Sequence, residues 1–160
     1  MNHEKNLILK PFICGLIISS MLSSAIMSVD AASHSSGAKT VYTVNGITYN
    51  GYNTIYTGLN HTNQKYAMAM TNVTSKDNSI IPAGWAGVQP ILYNSSGTAI
   101  RTGSWSYTSS GSSGTGSSVD YTGFTSSTSY YAQGLTRAWN GSDYWTYSTS
   151  KSPSLNDYTT

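Results

Sequence analysis

The sequence predicts an all-β protein: an antiparallel β-sandwich, Greek-key-like in its connections, of roughly seven to nine short strands. Three observations predict it. Apolar residues recur with a period of two, and no window shows the 3.6-residue period of an amphipathic helix. Turn-forming residues return about every eight to twelve positions, the spacing of short strands joined by tight loops. The composition combines 13 Tyr and 4 Trp with only 2 Phe, and charged residues make up 9% of the chain. A chain so poor in charge, in which Leu, Ile and Val are also scarce, suits neither a charged disordered tail nor a Leu-rich helical bundle.

The elements follow in order. Residues 1–31 read as a secretory signal peptide: Lys5 and Lys10, an apolar stretch from Pro11 to Met27, then Val29-Asp30-Ala31 as a small-residue site with cleavage after Ala31. Ser19, Ser20, Ser23 and Ser24 interrupt the apolar stretch and argue against a retained membrane anchor. Bulky Phe12 and Ile13 before Cys14 argue against a lipid-anchored Cys. Removal of these 31 of 160 residues leaves 129 and takes away Glu4 and Cys14, the chain's sole Glu and sole Cys. A secreted, extracellular domain without a disulfide is expected to hold together by core burial, and its export fits a Gram-positive bacterium.

Residues 32–39 read as a polar leader and 40–160 as one β-sandwich domain. Thr40-Val41-Tyr42-Thr43-Val44 and Ile47-Thr48-Tyr49 flank Asn45-Gly46, the dipeptide of a type I′ hairpin turn. A further strand is expected from Gly51 to Thr57. Another is expected at Tyr66-Ala67-Met68-Ala69-Met70, with Tyr and Met on the inward, bulky face and the two Ala presented to a neighbour. Pro90 lacks a ladder donor and is expected at a sheet edge or bulge. Asn94-Ser95-Ser96-Gly97 forms a turn into 98–107, where Arg101, Gly103, Trp105 and Tyr107 alternate with other residues. Residues 109–118 contain only Ser, Gly and Thr and read as a flexible loop. Tyr131, Gln133, Leu135, Arg137 and Trp139 share one face of a later strand, and Asn140-Gly141-Ser142-Asp143 turns the chain into Tyr144-Trp145-Thr146-Tyr147. The stretches 86–97 and 132–143 share an Ala-Gly-apolar-aromatic-Asn order and read as two hairpins under one constraint.

The residues beyond the signal exclude much chemistry. Six basic residues (Lys39, Lys65, Lys76, Arg101, Arg137, Lys151) are scattered along the chain against Asp77, Asp120, Asp143 and Asp157, which is no patch for nucleic acid. His34, His61 and four distant Asp form no zinc-ligand spacing, and Asp77-Asn78-Ser79 lacks the acidic run of a calcium loop. No cofactor or metal is expected. No Ser lies in a Gly-x-Ser-x-Gly context, and His61, beside Asn60, Thr62 and Asn63, reads as a loop residue. For glycoside hydrolysis, Asp120 and Asp143 are the pair that sits beside aromatic residues, although Asp143 is also favoured by its turn. No catalytic residue is expected.

What remains is the surplus of Tyr and Trp, which carry an apolar face with a polar handle. Most suit the sheet faces of a protein poor in aliphatics. Trp139, Tyr144 and Trp145 around the Asn140 to Asp143 turn, with Arg137 on the Trp139 face and Asp143 at the tip, form the candidate binding set, either packed in the core or stacking on a sugar ring or partner groove. The expectation is therefore a secreted, non-enzymatic protein that binds through exposed aromatics at a bacterial cell surface, its partner a cell-wall or surface glycan or envelope component. A carbohydrate-active hydrolase and a structural surface component are the alternatives.

One family resemblance adds a further reading. His61-Thr62-Asn63-Gln64-Lys65-Tyr66-Ala67-Met68-Ala69-Met70, followed by Ala83-Gly84-Trp85-Ala86, resembles the order of residues in the secreted bacteriocins of the lactococcin 972 type, over about residues 52–107. The resemblance implies a β-sandwich fold, signal-dependent export and an antibacterial protein acting at the cell envelope.

Overall fold

The computed structural model describes residues 33–124 and 128–156, and the expected signal peptide lies outside them. Among the described residues thirteen strands follow one another: β1 (Ser33–Ser36), β2 (Thr40–Val44), β3 (Ile47–Leu59), β4 (Lys65–Ser75), β5 (Ala86–Gln89), β6 (Ile91–Asn94), β7 (Ala99–Thr102), β8 (Ser106–Tyr107), β9 (Gly114–Thr122), β10 (Ser129–Ala132), β11 (Leu135–Trp139), β12 (Tyr144–Ser148) and β13 (Leu155–Asn156). The protein is all-β: no helix occurs among the described residues, all strand ladders are antiparallel, and the sheets pack as a sandwich without closing into a barrel.

One layer has the order β1-β3-β4-β9, with β2 also pairing on β3. The other consists of two four-stranded sheets, β13-β10-β6-β7 and β12-β11-β5-β8. Within that second layer β5 runs on into β6, β7 into β8, β10 into β11 and β12 into β13, so the two sheets are halves of one creased surface. Four of the thirteen strands thus continue a neighbour, and the chain makes nine passes. It changes layer after β4, returns for β9 beside β4, and crosses again for β10 to β13.

Local chemistry explains the hairpins. Asn45 and Gly46 both have positive φ, 51° and 80°, the requirement of the type I′ turn that joins β2 to β3. Asn60, Asn94 and Asn140 each open a loop by the same device, a side-chain oxygen that accepts backbone N–H groups two to four residues on: Thr62 and Gln64 for Asn60, Thr98 for Asn94, Ser142 and Asp143 for Asn140. His61 lies exposed in the first of these loops.

The crease has its own chemistry. Pro90 was expected at an edge or bulge, but it is fully buried between two interior strands, where its missing donor ends β5 and begins β6. Across the layer the breaks line up: the Gly103 amide donates to the Pro90 carbonyl at 2.9 Å, the Gln133 amide to the Ile91 carbonyl at 3.2 Å, and the Thr149 amide to the Gly134 carbonyl at 3.0 Å. Below it sits Asn53 of β3, fully buried. Its amide nitrogen donates to the Thr149 hydroxyl (2.5 Å) and the Ser150 carbonyl (2.8 Å), and its oxygen accepts from the Thr71 hydroxyl (2.8 Å) and the Gly134 amide (3.1 Å). Every hydrogen-bonding valence used there is met inside the core, as burial of an amide requires. A Cβ at Gly134 would collide with the Thr71 hydroxyl and approach the Gln89 carbonyl within 2.6 Å, which explains glycine at that point.

This polar node separates two apolar clusters, one built around Tyr42, Tyr49, Val73, Ile81 and Val88, the other around Ile55, Ala67, Ala69, Leu92 and Tyr130. The second corrects the expected orientation of the Met and Ala residues in 66–70, while Tyr66 is buried as expected. Ala67 and Ala69 are fully buried, whereas Met68 and Met70 lie half-buried on the outer face. Small residues face inward because Leu92 and Tyr130 of the opposite layer fill the space above them.

Two further expectations are corrected. The polar leader 32–39 contains β1, whose Ser33–Ser36 pairs with Thr57 to Thr54 of β3. The expected flexible loop at 109–118 is a strand from Gly114 onward: Gly114 to Ser118 pair with Thr74 to Met70 of β4. Ordering here comes mainly from backbone pairing, with Thr115 the one buried side chain of 114–118. A Cβ at Gly114 would meet the Val73 carbonyl at 2.5 Å and one at Gly116 would strike the Asn72 side chain, so these glycines admit the close approach.

Candidate functional site

The candidate site is the outer face of the sheet β12-β11-β5-β8. Along β11 the inward positions Thr136 and Ala138 are fully buried, so Leu135, Arg137 and Trp139 project outward. Register places Gly87 of β5 opposite Arg137 on one side and opposite Tyr107 of β8 on the other. Glycine leaves a gap in the middle of this row, and its two neighbours close it. A Cβ on Gly87 would lie 2.9 Å from the Tyr107 ring and 3.4 Å from Arg137 Cγ.

Arg137 stands at the centre of the resulting box. Its guanidinium carbon is 3.9 Å from the centre of the Trp105 ring, 4.6 Å from that of Tyr107 and 4.5 Å from that of Tyr144. Tyr107 stacks on Trp105 at 6.4 Å and tilts against Tyr144 at 5.7 Å. Trp139, opposite Tyr144 in the ladder, meets it edge-on at 5.2 Å. All five side chains are half-buried. Two anchors hold the box to the scaffold. The Tyr144 hydroxyl donates to the Gly84 carbonyl at 2.6 Å, and the Trp139 amide donates to the Trp85 carbonyl at 2.8 Å. Gly84, with φ of 78°, occupies the third position of a type II turn closed by the Trp85 amide on the Pro82 carbonyl at 3.1 Å.

Among the described residues no hydrogen bond or ion pair reaches the Arg137 guanidinium, and its Nε is buried without a partner. Its charge is held by ring faces alone. Each cation–π contact of this kind contributes about 0.5 to 2 kcal/mol, depending on desolvation.

The structure divides the five residues singled out in the sequence. Arg137, Trp139 and Tyr144 share the outer face. Trp145 does not: as the ladder partner of buried Ala138 it points to the opposite side, where it is 54% exposed beyond the edge of the core. Asp143 is a turn residue, its carboxylate accepting the Tyr144 amide at 2.7 Å and its carbonyl accepting the Asn140 amide at 2.9 Å. Sequence reasoning missed Trp105 and Tyr107 as members of the box. Their alternation was visible, but the pairing of β8 with β5 across Gly87 was not. The remaining tryptophan, Trp85, packs against the core.

The carboxylates considered for hydrolysis lie in different layers. Asp120 projects from the outer face of β9, opposite Met68, and Asp143 caps the β11–β12 turn. No group of three metal-ligating side chains occurs among the described residues. A shallow depression of about 310 Å³ lies by the β2–β3 turn, lined by Gly46, Ile47, Thr48, Lys76, Asp77 and Ser79, and shares no residue with the aromatic box. In it Asp77 accepts the Ser79 amide at 3.1 Å, and hydrogen bonding by the Ser79 side chain first and its backbone second holds the carboxyl below the ordinary value. Comparison with protein-family models, with curated proteins and with solved structures finds no match for this chain.

Proposed function

We propose that this chain is a secreted, non-enzymatic binding protein that recognises a glycan of a bacterial cell surface through the outer face of β12-β11-β5-β8. The observation that carries the reading is the box itself: Trp105, Tyr107, Trp139 and Tyr144 half-buried on one sheet face, fixed by ladder register and by hydrogen bonds to Gly84 and Trp85. Rigid rings on a sheet are a low-entropy platform for the apolar face of a sugar, and their N–H and O–H edges suit its hydroxyl groups. The separation of Asp120 from Asp143 supports binding over turnover.

Retention of the purified chain on cell-wall polysaccharide tests this. Wild type is expected to be retained and Trp105→Ala and Trp139→Ala to elute at least tenfold more readily, with Trp145→Ala unchanged. Equal retention of all four proteins overturns the reading. Slowed growth of neighbouring bacteria by protein that no glycan retains favours the bacteriocin-like alternative.

A further inference from the structure

Resting on the glycan reading above, we propose that Arg137 makes the site selective for an acidic sugar, with the carboxylate of a pyranose ring received by the guanidinium while the ring stacks on the surrounding aromatics. The argument starts from what the cation lacks. A guanidinium carries five N–H donors in a planar fork. Here the guanidinium carbon lies over the rings of Trp105, Tyr107 and Tyr144, and none of the donors is bonded to a described residue. Nε is the enclosed nitrogen, so the terminal amino groups form the edge open to solvent.

Among the described residues no carboxylate neutralises this edge. Asp143, nearest in sequence, spends an oxygen on the Tyr144 amide, Asp77 is engaged by Ser79, and Asp120 belongs to the other layer. A half-buried cation with ordered faces and unused donors is complementary to a planar anion approaching edge-on, and a carboxylate accepts two parallel N–H bonds from such a fork. Partial desolvation by the rings strengthens the attraction relative to bulk water. The aromatic walls in turn fit a sugar ring better than a bare ion. Charge and stacking therefore converge on one ligand class, a uronic-type or other carboxylate-bearing sugar.

Affinity electrophoresis at constant ionic strength provides the test, with polygalacturonate, its methyl ester and a polyglycerol phosphate as probes. Wild type is expected to bind polygalacturonate at least tenfold more tightly than the ester and to ignore the ring-free phosphate polymer. Arg137→Gln abolishes the preference for acid over ester. Arg137→Lys, which keeps the charge and stem but not the fork, retains only part of it and serves where the Gln variant does not fold. Equal binding of acid and ester, with Trp105→Ala weakening both, overturns acid selectivity and leaves glycan binding standing. Binding of the phosphate polymer that Arg137→Gln abolishes overturns the assignment to a carboxylate. Failure of folded wild type to bind any sugar polymer overturns both readings.

Discussion

The guanidinium of Arg137 lies 3.9 Å above the indole ring of Trp105, across a sheet in which the two residues belong to separate hairpins. Neither is a sequence neighbour of the other, and no ladder pair joins them. Gly87 between their strands brings them together, because its missing side chain is the space into which Tyr107 and the Arg137 stem settle. A double-mutant cycle of Trp105→Leu and Arg137→Met is expected to return a coupling of about 0.5 to 2 kcal/mol by urea denaturation. A coupling indistinguishable from zero means the ring and the cation are adjacent without attraction.

Gly87→Ala tests the gap directly. The new methyl lies within 3.0 Å of two Tyr107 ring carbons, so the ring must swing aside, at a stability loss of about 1 kcal/mol. The fold survives because the displaced atoms belong to a half-buried side chain and not to backbone. Near-ultraviolet circular dichroism is expected to lose aromatic signal while the far-ultraviolet spectrum stays unchanged, and glycan retention is expected to fall with it. Unaltered aromatic signal would show that the box does not depend on the missing side chain.

The crease is more sensitive. Asn53→Leu removes two donated and two accepted hydrogen bonds that tie β3 to Thr71, Gly134, Thr149 and Ser150; the Gly134 amide and the Thr149 hydroxyl still bond each other, but the Thr71 hydroxyl and the Ser150 carbonyl lose their Asn53 partner. Orphaned buried groups cost about 1 to 3 kcal/mol each, and networks lose more than their separate bonds. A destabilisation of about 2 to 4 kcal/mol in chemical denaturation is expected, against less than about 0.5 kcal/mol for an exposed site such as Lys76→Gln. A neutral Asn53→Leu would mean that apolar packing replaces the node without loss.

The contrast between box and crease shows what the sequence makes legible. Period-two alternation groups Leu135, Arg137 and Trp139 on one face of β11 without saying which face is outward, and Asn45-Gly46 and Asn140-Gly141 mark their hairpins, because those signals are local. Register between distant strands is not local. Nothing in residues 86–107 states that Gly87 opposes both Tyr107 and Arg137, and nothing in Ser-Gly-Thr composition states that 114–118 finds a ladder partner in β4. The inward turn of Ala67 and Ala69 is hidden for a related reason: which face is buried depends on how much volume the opposite sheet supplies, here from Leu92 and Tyr130. Trp145 was grouped with Trp139 by proximity to a turn, yet a one-residue offset in a strand reverses the face.

That offset has a consequence of its own. Trp145→Ser alters a side chain that is 54% exposed and sits on the face opposite Arg137. Stability is expected to change by less than about 0.5 kcal/mol, and glycan retention not at all. Loss of retention in this variant would place the binding surface at the β12 edge and away from the box.

Alkaline pH probes the core beneath. Tyr42 stacks between Tyr147, at 3.9 Å, and Tyr49, at 5.3 Å, and burial pushes its hydroxyl well above the ordinary value of 10.0. Thr136 lies close enough to ease a phenolate charge, but neither hydroxyl has a well-formed hydrogen bond in the neutral protein, so burial dominates. Tyr49 and Tyr66 are raised for the same reason. Unfolded tyrosines ionise near pH 10, whereas these three stay neutral in the fold, so their contribution is complete below pH 10 and is lost as the pH rises above it. Absorbance of tyrosinate is expected to rise in two stages. Accessible phenols titrate first and reversibly, and the buried ones follow in a single step that coincides with loss of the far-ultraviolet β signal. Replacing Tyr42 with Phe preserves the stack and removes the most strongly shifted phenol, so it is expected to move the unfolding step to higher pH. An unchanged midpoint in Tyr42→Phe would show that Tyr42 ionisation does not drive alkaline unfolding.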